Sequence, residues 1–260
     1  MRIKEILERY KKGDISLREA EEELKLFSIK EIENFAKFDI NRDKRVGIPE
    51  IVLGEGKTID ELIKLCESLI KIKGCCIVTR LDKKNFCELK RKFKEFLKKE
   101  SKRAGILVFR DFDIKKTGGR IAIVTAGTSD IPRAEEARIV AEELGCDVFC
   151  FFDVGVAGIH RILGVIQQIV EKDVDAIIVV AGREGALPTI IAGTVDIPVI
   201  GLPTSIGYGL GGKGEASIYA MLQSCSVGLA VVNIDNGVGA GAFAALIANR
   251  VAKFREKSPS

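Results

Sequence analysis

From Arg120 onward the chain repeats one phrase: a short apolar run, a turn rich in glycine, then a helix-forming stretch. The run at residues 121–124 leads through Thr125-Ala126-Gly127-Thr128-Ser129-Asp130 into a helix over 133–144, and the run at 147–152 leads through Asp153 and Gly155 into a second helix. Three more runs, at 176–180, 198–201 and 228–234, enter the turn 181–188, the glycine-rich loop 202–214 with its helix over 215–223, and Asp235-Asn236-Gly237 with a closing helix from Val238. None of these runs shows the period-two polarity of a sheet with one wet face. Strands buried on both sides and alternating with helices specify a parallel sheet covered by helices on both faces. The fold class is therefore α/β, a three-layer parallel sheet.

The first part of the chain is written differently. Residues 1–119 hold 30 Lys+Arg against 22 Asp+Glu, residues 120–260 hold 11 against 15, and 18 of the 26 Gly fall in the second part, so two domains are expected. The boundary falls at 111–119, where Lys115-Lys116-Thr117-Gly118-Gly119 reads as a linker between a small α+β domain, 1–110, and the α/β domain, 120–256. In the small domain, a helix over 2–12 stops at Gly13, and a capping box of Ser16 and Glu19 starts a second helix to Leu26. An alternating run from Phe35, a basic turn, and a second apolar run to Leu53 read as a β-hairpin-like pair. Thr58 and Glu61 start a helix to Lys73, followed by a strand over 75–81, a helix over 83–99 and a strand over 105–110. Arg42 and Arg45 in the basic turn are paired guanidinium groups that suit a phosphate or carboxylate, or else belong to a solvated loop.

Composition narrows the function classes. A net charge of +4 is small and dispersed, which argues against a nucleic-acid partner, although the basic first half would attract an anionic small molecule. The lysines of 90–99 read as a solvated helix face. No apolar segment reaches the ~18 residues of a membrane span and no signal peptide precedes the first helix, so a cytoplasmic protein is expected. Seven cysteines, with Cys75 and Cys76 adjacent and no Cys-x-x-Cys pair, form neither a zinc pattern nor a disulfide framework.

Ligands of parallel sheets bind at the carboxyl ends of the strands. There the sequence gathers Gly127, Thr128, Ser129, Asp130, Gly155, Gly182, Arg183, Glu184, Gly185, Ala186, Asp235 and Asn236, together with His160, the only histidine. Small and polar residues at a helix N-terminus offer amides and hydroxyls to an anion, whereas the plainer reading is a turn capped by Ser129 or Asp130. Five glycine-bearing turns on one edge exceed what connectivity requires, and a binding site is expected.

The second half resembles the aminoimidazole ribonucleotide carboxylases and carboxyaminoimidazole ribonucleotide mutases of purine synthesis, which implies a flavodoxin-like sheet. The resemblance rests on Ala126-Gly127-Thr128-Ser129-Asp130 for the family's Gly-Ser-x-Ser-Asp turn, on 181–188 followed by 198–203, and on the Ala-rich helix at 240–248. Ile159-His160-Arg161 keeps only His-Arg of the family's Ser-x-His-Arg-x-Pro, and Ala186 stands where the family has a second histidine. Ser224-Cys225-Ser226 replaces an Arg-Gly-Ile-Pro loop, and a domain of over 100 residues precedes the match. These features are similar to a sister family, the LarB-type carboxylase/hydrolase of nickel-pincer cofactor synthesis. The shared motifs run nearly end to end: 39–50 with Arg42 and Arg45, Gly54-Glu55-Gly56-Lys57-Thr58, Gly127-Thr128-Ser129-Asp130, 182–188, and 224–237.

That resemblance implies carboxylation of the pyridinium ring of nicotinic acid adenine dinucleotide and hydrolysis of its phosphoanhydride, giving pyridinium-3,5-biscarboxylic acid mononucleotide and AMP. An electron-poor ring cannot attack carbon dioxide directly, whereas a thiolate adduct of it has an enamine-like, nucleophilic carbon, so one activated cysteine is needed. Cys225, between a helix and a strand and read as lying beside the glycine turns, is the candidate; Cys146 and Cys150 read as core. A base must then remove the ring proton, with Glu184 the first choice and His160 the second, Glu184 otherwise pairing with Arg183. Ser129, Asp130 and the amides of Gly127 and Thr128 are expected to hold a ribose phosphate or the incoming carboxylate. No organic cofactor is called for, no metal-ligand cluster is legible, and Mg²⁺ would arrive with the polyphosphate. The closing helix, apolar and rich in Ala and Gly, points to a homo-oligomer, an octamer as the resemblance implies. The competing readings are a purine-pathway carboxylase or mutase and a nucleotide-binding module without turnover.

Overall fold

A computed structural model describes residues 3–25, 29–32, 36–39 and 41–255. Leu26 and Phe35, which bounded two expected elements, lie outside the described residues. The chain divides into two compact units, Met1–Glu100 with Gly105–Phe112 and Ser101–Ala104 with Asp113–Ser260.

In the first unit, α1 (Ile3–Lys12) and α2 (Leu17–Lys25) form the expected hairpin and pack through Ile6, Ile15 and Ala20. The capping box closes as the spacing predicts: the Glu19 amide donates to Ser16 Oγ at 3.2 Å and the Ser16 amide to the Glu19 carboxylate at 2.7 Å. β1 (Ile29–Ile32) pairs antiparallel with β2 (Ala36–Asp39), and α3 (Arg42–Val46) follows. β3 (Ile51–Leu53) pairs instead, in parallel, with β4 (Cys75–Thr79). The hairpin expected across Arg42 and Arg45 is thus absent among the described residues. Arg-Asp-Lys-Arg-Val lacks the Asn-Gly or Gly-x chemistry of a tight hairpin and winds into a helical turn, which sends the two runs to different sheets.

α4 (Ile59–Lys73) begins at the Thr58–Glu61 capping box and stops at Gly74, whose φ of 68° needs no Cβ. α5 (Lys83–Lys92) is shorter than expected: the chain leaves the helix at Phe93, and β5 (Leu97–Ser101) follows beside β6 (Ile106–Arg110) in a sheet ordered β3-β4-β6-β5. Lys and Glu favour helix there, but burial in β5 alternates and the Phe93 ring packs 5.3 Å from that of Phe109; tertiary pairing overrides propensity.

In the second unit, β7 (Arg120–Thr125), β8 (Asp147–Phe151), β9 (Ala176–Ala181), β10 (Val199–Pro203) and β11 (Leu229–Val231) form a wholly parallel sheet ordered β11-β10-β9-β7-β8. This is the flavodoxin-like order. The helices are α6 (Ile131–Glu143), α7 (Ile159–Glu171), α8 (Ala186–Ala192), α9 (Glu215–Leu222) and α10 (Gly237–Arg255). Ile121, Ile123 and Ile178 meet the alanines of α6 and α10 on one face, and Val124, Ile177 and Val179 meet Ile162, Leu187 and Met221 on the other. Successive strand residues point to opposite faces and both faces are covered, which is why the runs carry no polar alternation.

α10 lies so close to α6 that a Cβ on Gly237 would stand 2.7 Å from the Arg133 carbonyl oxygen, and one on Gly241 would strike the Ala137 carbonyl. The small residues of the closing helix are therefore used inside the chain, while its large apolar side chains Phe243, Leu246, Val251 and Phe254 are exposed. Residues 115–119, read as a linker, are docked on this unit: the Thr117 amide donates to Gly145 O at 3.0 Å and Lys116 pairs with Asp147 at 2.7 Å. Among the described residues no helix is long and apolar enough to cross a membrane.

Candidate active site

The chain runs from β7 outward to β8 and then returns across β7 to β9, so the sheet has its switch point between β7 and β9. Connections leaving adjacent strands on opposite faces open a crevice there, at the carboxyl ends. In this unit that crevice is a cleft of about 580 Å³, a size suited to a small-molecule ligand. Gly127, Thr128, Ser129 and Asp130 form one wall, Asp153, Gly155 and Arg161 a second, and Gly182, Arg183, Glu184 and Ala186 a third. Nine of the expected residues thus come together: Gly127, Thr128, Ser129, Asp130, Gly155, Gly182, Arg183, Glu184 and Ala186.

Asp130 is the fastening of this edge. It is 4% exposed; one oxygen accepts from the Gly127 amide at 2.9 Å and the other from Thr204 Oγ1, at the end of β10, at 2.8 Å. Burial pushes its carboxyl above the usual carboxylate range, against the hydrogen bonds from Thr204, Gly127 and the Gly182 amide, with Asp235 adding to the rise. Bonds from three strand ends to one carboxylate hold the turns of β7, β9 and β10 in register. The Gly127 amide, expected to hold an anion, is already committed to Asp130; Thr128 and Ser129 are the exposed members of the turn.

Two backbone features set the other walls. Gly155 passes the Ala126 carbonyl so closely that a Cβ would stand 2.9 Å from its oxygen, and a Cβ on Gly182 would strike the Ile206 carbonyl. Arg183 adopts φ 47°, and its guanidinium lies 3.9 Å from the Glu184 carboxylate, both side chains more than half exposed. Glu184 therefore faces the cleft in a loose pair rather than a buried ion pair.

Other expected site residues are not among those that line the cleft. Asp235 joins strand ends: Ser205 donates to it through its amide at 3.0 Å and its hydroxyl at 2.6 Å, and Arg133 approaches to 3.3 Å. Partial burial works upward on that carboxyl, but Ser205 and Arg133 outweigh it and hold it below the usual range. Asn236 caps α10 by accepting from the Gly239 amide at 2.8 Å. Gly185, at φ 62°, is the N-cap of α8 and abuts the Ser217 backbone. His160 is exposed in the first turn of α7 and outside the cleft lining, whereas Glu184 is part of it. Arg42 and Arg45 belong to the first unit, on α3, where Arg45 forks onto Asp39 and Arg42 lies 3.9 Å from Glu50.

Cys225 departs most from expectation. It is exposed in the connection from α9 to β11, and Leu229, which follows, pairs with Val199, the first residue of β10. A connection entering a parallel strand emerges at the amino edge of the sheet, whereas the cleft opens at the carboxyl edge. Within one chain the thiol and the cleft are therefore a strand's length apart, not beside each other. Cys146 is a core thiol and Cys150 a half-buried one packed against the same core: burial pushes them up to about 12 and about 11, which leaves them protonated at neutral pH.

Thr204 and Asp153 escaped the sequence reading. The first follows Pro203 directly at a strand end, a position that the carboxyl-edge rule marks; the second opens the β8 turn at φ 59°. Among the described residues no group of three or more His, Cys, Asp and Glu side chains is arranged to hold a metal ion.

A family model described as AIR carboxylase matches residues 120–258, and one described as LarB/PurE-like N-terminal domain matches residues 29–110. An uncharacterized protein of Methanocaldococcus jannaschii is 47% identical over 251 residues, 95% of this chain and 96% of that protein. The N5-carboxyaminoimidazole ribonucleotide mutase of Thermotoga maritima is 29% identical over 151 residues, 53% of this chain and 84% of the mutase. That of M. jannaschii is 31% identical over 146 residues, 53% of this chain and 88% of the mutase. The chain belongs to the AIR carboxylase family, with a LarB/PurE-like domain ahead of the catalytic-type sheet.

Proposed function

We propose that this carboxylase-type protein adds carbon dioxide to the pyridinium ring of nicotinic acid adenine dinucleotide and hydrolyses its phosphoanhydride, releasing the dicarboxylated mononucleotide and AMP. The observation that carries this reading is the make-up of the β9 wall, where Arg183 and Glu184 stand next to Ala186 while the single histidine lies outside the cleft lining. A site built on a histidine at position 186, as in the purine enzymes that the chain resembles, is thereby disfavoured. The LarB/PurE-like match over residues 29–110 supports the same choice.

The chemistry follows from the ring. A cysteine thiolate adds to a ring carbon and its electron pair passes through the ring, leaving a dihydropyridine with an enamine-like carbon. That carbon attacks carbon dioxide and forms the new C–C bond; Glu184 takes the ring proton from the same carbon; expulsion of the thiolate restores the aromatic cation. Thr128 and Ser129 bind the ribose phosphate, and water cleaves the phosphoanhydride. Mg²⁺, where the polyphosphate brings it, is held by the substrate rather than by a protein cluster.

Because Cys225 sits on the amino edge, the reading requires that it serve the cleft of a second copy, in a homo-oligomer of octameric form. Its neighbours in the chain support this: Tyr219 and Leu222 on α9 and Val227 after the thiol are 64%, 63% and 94% exposed, apolar surface that association would cover. Incubation with the dinucleotide and labelled bicarbonate, and separately with aminoimidazole ribonucleotide, tests the proposal. Label in a pyridinium mononucleotide with release of AMP is expected. Label transfer only to the aminoimidazole would establish the purine reading, and binding without transfer to either would leave a nucleotide-binding module.

A further inference from the structure

Among the described residues the cleft lining contains no aromatic side chain, yet an adenine dinucleotide brings a purine as well as a pyridinium ring. The loop after β10 supplies what is missing. It lies on the β9 turn: the Arg183 amide donates to the Ile206 carbonyl at 3.1 Å, and a Cβ on Gly211 would be 3.3 Å from the Arg183 carbonyl oxygen. Glycine at 182, 207 and 211 permits that approach of backbone to backbone. Ile206 of the loop reaches the cleft wall, while Tyr208, two residues on, places its ring 4.9 Å from the Arg183 guanidinium carbon and remains 75% exposed. One flat cation that lines the cleft is thus stacked on one flat ring at its mouth.

We infer that Tyr208 and Arg183 form the subsite for the adenine nucleotide half of the substrate, with the purine stacked on the Tyr208–Arg183 pair and the guanidinium facing the phosphoanhydride. This rests on the reading of the cleft as the pyridinium mononucleotide site. An aromatic ring recognises a base through its π-face, and a guanidinium adds both stacking and charge. Of the two arginines lining the cleft, Arg161 is turned to Asp153 at 3.6 Å, whereas Arg183 lies over the Tyr208 ring and pairs more loosely with Glu184 at 3.9 Å, which leaves its charge the more open to a phosphate. The arrangement also explains why the loop is fastened to the β9 turn: an aromatic on an unanchored loop would lose more entropy on stacking.

Titration calorimetry of the full chain with three separate probes, AMP, nicotinic acid mononucleotide and the intact dinucleotide, tests the assignment. Tyr208→Ala is expected to weaken AMP and the dinucleotide by about 5- to 150-fold and nicotinic acid mononucleotide by less than about twofold. Tyr208→Phe, which keeps the ring, should bind all three like the parent protein. Equal weakening of all three probes by Tyr208→Ala, no weakening of AMP, or absence of AMP binding to the parent protein would overturn the subsite. Tyr208-dependent AMP binding without turnover of the dinucleotide would leave the subsite standing and remove the carboxylase reading; carboxylation with Tyr208-independent AMP binding would do the reverse.

Discussion

Replacing Thr204 by valine removes one hydroxyl from a fully buried site and keeps the shape of the side chain. That hydroxyl donates to Asp130 Oδ1 at 2.8 Å, so the substitution deletes one of the bonds that join the ends of β7, β9 and β10. With the carboxylate ionised the lost bond is charge-assisted and costs roughly 1.5–3 kcal/mol; with it protonated the bond is neutral and costs roughly 0.5–1.5 kcal/mol. Burial raises Asp130 above its unfolded value, so between about 3.9, the unfolded carboxyl, and the raised folded value the native state holds the extra proton. Native stability attributable to this group is therefore greatest below that window and falls as pH rises through it. Valine raises the folded value further, which widens the window and enlarges the loss at high pH.

Urea unfolding of parent and variant over a pH series that starts below the unfolded carboxyl value and rises past neutral measures the difference. The loss of stability should be about 1 kcal/mol larger at the high end of the series than at the low end. Thr204→Ser, which keeps the hydroxyl and loses a buried methyl, should cost about 0.8 kcal/mol at both ends. A valine penalty that is the same throughout the series, or below about 0.5 kcal/mol at its high end, would refute the view of Asp130 as a charged fastening.

Cys225→Ser should retain dinucleotide binding and lose incorporation of labelled carbon dioxide; undiminished label removes the covalent route. If the thiol serves a neighbouring copy, mixed oligomers of Cys225→Ser with Glu184→Gln should regain activity that neither variant has alone, and a monomeric mass by light scattering would exclude the arrangement. Arg42→Ala and Arg45→Ala are expected to raise KM for the dinucleotide with little change in kcat, since contacts to a non-reacting group are made equally in ground and transition states; normal binding by both variants sends the search for the first unit's role elsewhere. Gly241→Val should destabilise by about 1–3 kcal/mol, because its side chain would meet the Ala137 backbone, and a denaturation midpoint equal to the parent's would contradict the tight α6–α10 contact.

The sequence alone determined the features that are local or topological. Ser16 with Glu19 and Thr58 with Glu61 cap their helices because a capping box needs only residues three apart. Two-sided apolar runs alternating with helices require a parallel sheet, and connectivity then puts the turns after β7, β8 and β9 on one edge, where nine expected residues line the cleft. The same rule, applied to the connection that enters β11, places Cys225 on the opposite edge; that much was legible from the order of elements alone. The tertiary structure decided which turns bond to one another. The Thr204–Asp130 and Ser205–Asp235 bonds join residues far apart in the chain, and only strand order brings them within reach. It decided, too, that Asp235 and Asn236 serve the scaffold and that the lysine-rich tail beyond Phe93 becomes β5, since a neighbouring strand outweighs the few tenths of a kcal/mol per residue by which propensity favours helix.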